Sequence, residues 1–315
     1  MSKQKIGVMI CTAQRPRMVS ECVRSILAQK VGEDQNVEIC VVENDSQQLS
    51  REIIENLNVD GGFPVLYYQE PVRGIPRARN KTLEVAVARG YDWIALIDDD
   101  EVADPHWLGE LLRVAQVHSA DVVSGPVRRR YEAPPPKWWK HLNPAAETEG
   151  AALSEAPTNN TLLSRRLIAE DGFNLRFHDA LTFGFEDIDF FQRAHDLGAR
   201  IVWAPMAGVE EEIPASRMEP ERLIQRVMTS SAAHSYATKL RRGTGKAFMK
   251  FGGKAIRRII GGSLICLFTG ALRIAGAGAF ESAYYKGRVR LARGLGNLRG
   301  LFHVLPSYYD TVDGN

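Results

Sequence analysis

Four consecutive acids, Asp98, Asp99, Asp100 and Glu101, follow directly on an apolar run in the stretch WIALIDDDEVADP. Like charges this close repel, and burying a carboxylate unpaired is costly. The cluster therefore needs a positive partner. Hard divalent cations such as Mg²⁺ or Mn²⁺ accept carboxylate oxygens and commonly share their coordination with substrate phosphates. Elsewhere in the chain, Arg15, Arg73, Arg77 and Arg79 can pair with phosphate oxygens. Acids for a cation and arginines for an anion suggest a metal–diphosphate ligand. The plainer reading is a solvated acidic loop that caps the helix at Pro105, with Asp104 as its N-cap.

The elements around these residues must bring them to one place. Ile6 to Cys11, Val37 to Val42, Val65 to Tyr68, Trp93 to Ile97 and Val122 to Val127 read as strands. Between them Arg17 to Gln29, Leu49 to Leu57, Pro76 to Ala88 and Pro105 to Val117 show helical spacing. This alternation suits βα units and a mainly parallel sheet, whose ligands bind at the carboxyl ends of strands. Thr12 to Arg15, Glu43 to Ser46, Pro71 to Arg73 and Asp98 to Glu101 end those strands, so all four should face one crevice. Residues 128–160, rich in Pro, Trp and charge, read as a long functional loop or lid. Glu186 to Leu197 is helical and stops at Gly198, and Glu219 to Thr238 is helical again.

Composition adds a division. From Tyr236 to Asn315 there are 14 Lys and Arg against 3 Asp and Glu, while residues 1–235 hold 26 against 35. A basic run, Arg241 to Arg258, leads into residues 259–280, which are apolar but for Arg273. Length permits a membrane span; the arginine and five glycines favour a monotopic or partly inserted segment at an anionic surface. The basic run lacks interleaved aromatics, so nucleic acid is not expected as a partner. Cys11, Cys22, Cys40 and Cys266 show no CxxC spacing and read as reduced, structural thiols. The apolar run at the start reads as a strand and not as a secretory signal.

Together ICTAQRP, VVENDS, RGIPRARN, LIDDDEVADP and GFEDIDFFQRAHDLG resemble, in order and spacing, the inverting family-two glycosyltransferases of GT-A fold. The likeness is greatest to the succinoglycan-type enzymes of bacterial exopolysaccharide synthesis, and it covers roughly residues 4–235. It implies an α/β GT-A fold with a mixed, mainly parallel sheet over residues 1–235. Residues 236–315 then form a basic, hydrophobic, helical, membrane-associating tail. It also implies transfer of a hexose from a nucleotide-sugar, usually a UDP-sugar, with Mn²⁺ or Mg²⁺ as cofactor. The acceptor would be a saccharide or a lipid-linked saccharide, at the cytoplasmic face of the inner membrane.

Site residues follow from the same resemblance. Thr12 and Arg15 match the motif near the nucleotide. Glu43 and Asn44 fall where the family contacts uracil and ribose. Arg77, Arg79 and Asn80 match the motif near ribose and phosphates. Asp98 and Asp100 match the DxD, with Asp100 toward the metal, Asp98 toward ribose and Asp99 between them. Glu186-Asp187 matches the ED motif, in which Asp187 is the general base. A histidine that often supplies a further metal ligand is replaced here by APMAGVEEEIPASRM. Glu210, Glu211, Glu212 or a distant His234 could substitute, and His234 also reads as a helix-surface residue. Trp138 and Trp139 could stack on an acceptor sugar or anchor the loop. Two other functions compete. A sugar-phosphate nucleotidyltransferase would carry a Gly-rich opening signature with a lysine, which KIGVMICTAQRP lacks. An inactive scaffold of a polysaccharide assembly complex would lack acids at the DxD or ED positions, and both are present.

Overall fold

The computed structural model describes residues 3–58, 62–139, 148–274 and 280–304. Strand and helix alternate at first: β1 (Gln4–Thr12), α1 (Pro16–Leu27), β2 (Gln35–Glu43), α2 (Arg51–Glu55), β3 (Val65–Gln69), α3 (Ile75–Arg89), β4 (Trp93–Asp98), β5 (Glu101–Ala103) and α4 (Trp107–Val117). Then come β6 (Val122–Ser124), β7 (Val127–Tyr131), β8 (Ala152–Leu153), β9 (Thr161–Ser164), α5 (Glu186–Asp196), β10 (Ile201–Trp203) and β11 (Val209–Ile213). A 3₁₀ turn, Ala215–Met218, leads into α6 (Pro220–Arg242), α7 (Thr244–Ile274) and α8 (Glu281–Leu301).

Strand β1 is buried on both faces, as a strand covered by helices front and back must be. Ile6, Val8 and Ile10 enter a core shared with Val19, Cys22, Val23 and Ile26 of α1. Those four recur at the spacing of one helical face. Met9 points the other way, into a second core with Leu83 of α3 and Phe190 of α5. Gly7 is needed where β1 passes Tyr91, since a Cβ there would lie 2.4 Å from the ring.

The main sheet has the order β3-β2-β1-β4-β9-β6-β10-β8. Strands β1 to β4 are parallel, and β9 runs antiparallel to both β4 and β6. The sheet is thus mixed and mainly parallel, flanked by helices, as expected. The chain leaves β1 toward β2 on one side and returns to β4 on the other. The crevice over the carboxyl ends of β1 and β4 is therefore the ligand position for an open α/β sheet. Register sets Cys11 beside Asp98 and Thr12 beside Glu43. A second sheet, β5-β11-β7, pairs Glu211 with both Glu101 and Arg129.

Three expectations change. Residues 128–160 are not one long loop. Val127–Tyr131 is a strand whose Arg129 and Arg130 pair with Glu211 and Glu212 across β11, while residues 140–147 lie outside the described residues. The strand expected over Val122 to Val127 is divided between two sheets at Gly125-Pro126, where proline offers no amide hydrogen. The boundary at 235/236 falls inside α6, whose Tyr236 and Ala237 pack with Leu181 and Phe183 of the α/β body.

Helix α8 packs against both α6 and α7, and its glycines set the spacing. A Cβ on Gly296 would come 2.2 Å from the Met228 carbonyl oxygen, and one on Gly300 2.1 Å from that of Ala232. Helix α7 is long and apolar enough over Thr244–Leu272 to cross a membrane by length and composition. Its other face is open, with Met249 87 %, Leu267 72 % and Phe268 69 % exposed. The side chain of Arg273 and residues 275–279 are outside the described residues.

Candidate active site

The acids at the end of β4 are neutralised in part by arginines from three other segments. Thr12, closing β1, donates to Asp99 Oδ2 at 2.7 Å. Arg15 enters just before α1 and reaches Asp99 Oδ1 at 3.0 Å and Asp100 Oδ2 at 3.5 Å. Arg217, in the 3₁₀ turn after β11, holds Asp100 Oδ2 at 3.3 Å from both terminal nitrogens and Glu211 Oε1 at 3.6 Å. Arg79 of α3 pairs closely with Glu186 and lies 3.8 Å from Asp98 Oδ1. Glu101 is buried and accepts from the Asp98 amide at 3.1 Å and from Asn159 at 3.2 Å, so it fixes the turn between β4 and β5.

Burial pushes the Asp99 carboxyl up to about 6, against the opposing pull of Arg15. Burial also raises Glu186 and Asp98, with Arg79 opposing in both cases. The Asp98 side chain is 43 % exposed, so water weakens the effect there, whereas Glu186 is 3 % exposed. Glu186 Oε2 is buried and has no hydrogen-bond partner among the described residues. Asp98, Asp99, Asp100, Glu101, Glu186, Asp187 and Glu211 face only Arg15, Arg79, Arg129 and Arg217 through these contacts. Negative charge is in excess, and a ligand cation would offset it.

Asp187 stands at the first turn of α5, half-buried, and accepts from the Ile188 amide at 2.7 Å. Its entry is strained. Phe185 sits at φ +75°, a left-handed conformation that costs a bulky side chain roughly 1–3 kcal/mol. Stacking on His234 of α6, 4.8 Å between centroids, braces it there.

The structure thus gathers Thr12, Arg15, Arg79, Asp98, Asp99, Asp100, Glu186 and Asp187 around one crevice. Five other residues stand differently. Glu43 is fully buried and accepts from the Ser50 amide and hydroxyl at 3.0 Å and from Tyr67 at 2.8 Å. Asn44 donates to the Glu70 and Val72 carbonyls and accepts from the Gly74 amide at 2.8 Å. The side chains of both are engaged in hydrogen bonds within the protein. Arg77 is half-exposed, and its ion pair is with Asp179 at 4.0 Å. Trp138 is 7 % exposed and stacked on Tyr285 of α8 at 4.9 Å, with Trp139 edge-on to it. Trp138 therefore anchors its loop, and its ring face is covered.

Arg217 is the residue that reading by motif missed, although it closes the noted segment EEIPASR. Among the three glutamates before it, Glu211 turns toward the acids, while Glu210 and Glu212 pair with Arg130. His234 is half-buried between Phe185 and Phe251 rather than free on a helix surface. The four cysteines are free thiols.

Comparison with known proteins agrees with this geometry. A family model described as Glycosyl transferase family 2 matches residues 7–184. The chain is 32% identical to succinoglycan biosynthesis protein ExoM of Rhizobium meliloti over 233 residues, 73% of this chain and 74% of that one. The mannosyltransferase PcManGT of Pyrobaculum calidifontis, solved with GDP-Man and Mn²⁺, aligns with a TM-score of 0.60 at 15% identity, covering 95% of this chain and 88% of that one. TarS 1-349 of S. aureus, solved with UDP, aligns at 0.53 and 14% identity, covering 99% and 95%. Fold, crevice and sequence lead to one conclusion: the chain belongs to glycosyl transferase family 2, and it is a glycosyltransferase.

Proposed function

We propose that this protein is a metal-dependent, inverting hexosyltransferase of exopolysaccharide synthesis. It uses a nucleotide-sugar, a UDP-sugar in the simplest case, and a saccharide or lipid-linked saccharide acceptor. The observation that carries this reading is the excess of carboxylates at the end of β4, bracketed by Arg15 and Arg217 and linked through Arg79 to Glu186-Asp187. The relative named for succinoglycan biosynthesis supports the pathway, and the UDP and GDP-Man–Mn²⁺ structures support the donor class.

The donor set suits a hard cation. Among the described residues no three His, Cys, Asp or Glu side chains form a complete metal cage. An incomplete oxygen site is what Mg²⁺ and Mn²⁺ use when substrate phosphates finish the coordination. Asp100 would hold the ion, with Asp98 toward the ribose, and the ion would neutralise charge growing on the departing diphosphate. Arg15 and Arg217 lie within reach of the same charge and can exchange Asp100 for phosphate oxygens. Asp187 takes the acceptor hydroxyl proton as the acceptor oxygen bonds the anomeric carbon. The bond from that carbon to the diphosphate breaks on the opposite face, which inverts the configuration. Glu186, neutralised by Arg79 or by a proton, orients the pair. The exposed apolar and basic side chains of α7 support work at the cytoplasmic face of the inner membrane.

Calorimetry with UDP in the presence and absence of Mn²⁺ tests the proposal. Tighter binding with the ion is expected. Equal affinity in both conditions would remove the metal from the mechanism.

A further inference from the structure

Arginines of the α/β body, such as Arg15, Arg79, Arg129 and Arg217, are each matched by carboxylates. The elbow between α6 and α7 differs. There the chain turns at Gly243, φ +84°, and burial, then Arg242, Arg241 and Lys254, lower the Lys250 ammonium from its ordinary value. Among the described residues none of the four has a carboxylate ion-pair partner. Arg241 donates to Gln192, and Lys250 Nζ lies 3.4 Å from His234 Nε2. Burial, then Lys250, Arg241, Arg258 and Lys254, hold His234 down at about 4, so it is neutral at physiological pH and can only accept from the lysine. Glu155 is the carboxylate that acts on Lys250, against three cations that oppose it; such an excess of positive charge is unfavourable by itself and is relieved by an anion from outside.

Two contacts narrow the identity of that anion. From the elbow outward, Met249, Ile256, Ile260, Leu264 and Leu267 form an exposed apolar stripe on α7 at helical spacing. Cations beside an apolar helix face fit an amphiphile with an anionic head, as in lipid recognition; a nucleic acid offers nothing to the stripe. On its other side the elbow meets the site. His234 stacks on Phe185, the residue immediately before Glu186-Asp187, and is edge-on to Phe251 of α7 at 5.0 Å. The elbow is therefore linked, through His234 and Phe185, to the turn that carries Glu186-Asp187.

We propose that the α6–α7 elbow binds the phosphate of a lipid-borne acceptor, with the lipid lying along the outward face of α7. This rests on the lipid-linked acceptor and the Asp187 base proposed above, and it adds where the acceptor's own charge is held. Arg242 and Lys254, both exposed, and Lys250 are the groups that reach the phosphate.

The test titrates farnesyl phosphate, by calorimetry, into protein already saturated with UDP and Mn²⁺ so that the donor crevice is filled. Wild type should bind it. Lys250→Glu/Lys254→Glu should weaken binding about tenfold or more, the effect of losing one charge-assisted hydrogen bond. The milder pair Arg242→Gln/Lys254→Gln should act in the same direction with an unchanged melting temperature. Lys286→Glu, an exposed cation on α8, should have no effect. Unchanged affinity in both elbow pairs would overturn the proposal. So would binding of farnesol as tight as that of farnesyl phosphate. Vesicles of phosphatidylglycerol separate the two sources of phosphate. If the elbow pairs lose vesicle binding but keep farnesyl phosphate, the elbow reads bulk lipid and the acceptor site is refuted. UDP affinity with Mn²⁺ should match wild type in every variant. Its absence from wild type would instead refute the underlying donor reading.

Discussion

Asp99 and Glu186 owe their raised pKa values mainly to desolvation, and this has a stability consequence that can be signed. A carboxyl at about 6 in the folded chain and near 4 unfolded favours folding fully only below pH 4. That contribution is lost as pH rises through 6. For Asp99 alone it amounts to ~3 kcal/mol. In EDTA, the wild-type melting temperature should therefore fall relative to that of Asp99→Asn between pH 4.5 and 7. Parallel pH curves for the two proteins would show that the carboxyl is not perturbed. Asp187→Asn should reduce transfer by about 10²–10⁴-fold, the usual worth of a positioned base, while UDP affinity stays within error. A variant retaining full turnover would exclude Asp187 as the base. Arg217 belongs at this scale too. Its two 3.3 Å contacts to Asp100 predict that Arg217→Ala lowers UDP–Mn²⁺ affinity more than Arg77→Ala does, because the ion pair of Arg77 is with the exposed Asp179.

At the scale of elements, the site depends on short segments held in unfavourable conformations by their neighbours. The Gly184-Phe185 turn aims α5 at the crevice, and its strain is tolerated because His234 covers the Phe185 ring. The three C-terminal helices are held by backbone proximity. Gly296→Val should destabilise by about 1–3 kcal/mol or splay α8 from α6, since the new side chain meets the Met228 carbonyl. Urea denaturation measures this. A midpoint equal to wild type would mean that the helices do not pack this closely. Displacement of α8 also loosens Trp138, whose ring rests on Tyr285, so the effect should extend to the loop.

The whole molecule is an acidic body joined to a basic helical region, and the asymmetry of 26 against 35 charges and 14 against 3 matches two different ligands. The body needs a cation to make its crevice habitable for a diphosphate. The helices carry cations that seek an anion. Saturating UDP with Mn²⁺ should stabilise the protein by about 2.7 kcal/mol at a hundredfold excess over Kd. EDTA should abolish most of that gain, and because burial raises the pKa of Asp98 and Asp99 beside the ion's ligand, the crevice carries less negative charge at pH 5 than at pH 7.5 and the gain should be smaller there. A ligand shift independent of both EDTA and pH would contradict the carboxylate site.

The sequence by itself determined the strands of the N-terminal alternation, β1 to β4, the order of the motifs and the conjunction of acids with arginines. These depend on local periodicity and on residue type, which chain order preserves. It also placed Asp187 at a helix start and the charge break near the C-terminus. Only the tertiary structure decided which polar side chains are left for a ligand. Glu43, Asn44 and Glu101 look as available in the sequence as Asp100, but their partners are Ser50, Tyr67, Gly74 and Asn159, supplied by turns and separate segments. Arg217 reaches Asp100 across 117 positions because β11 pairs with β5 beside the acid turn. Trp138 looks like a sugar platform until α8 covers it. Burial and hydrogen-bond satisfaction are set by what packs from far along the chain, and no short motif records that.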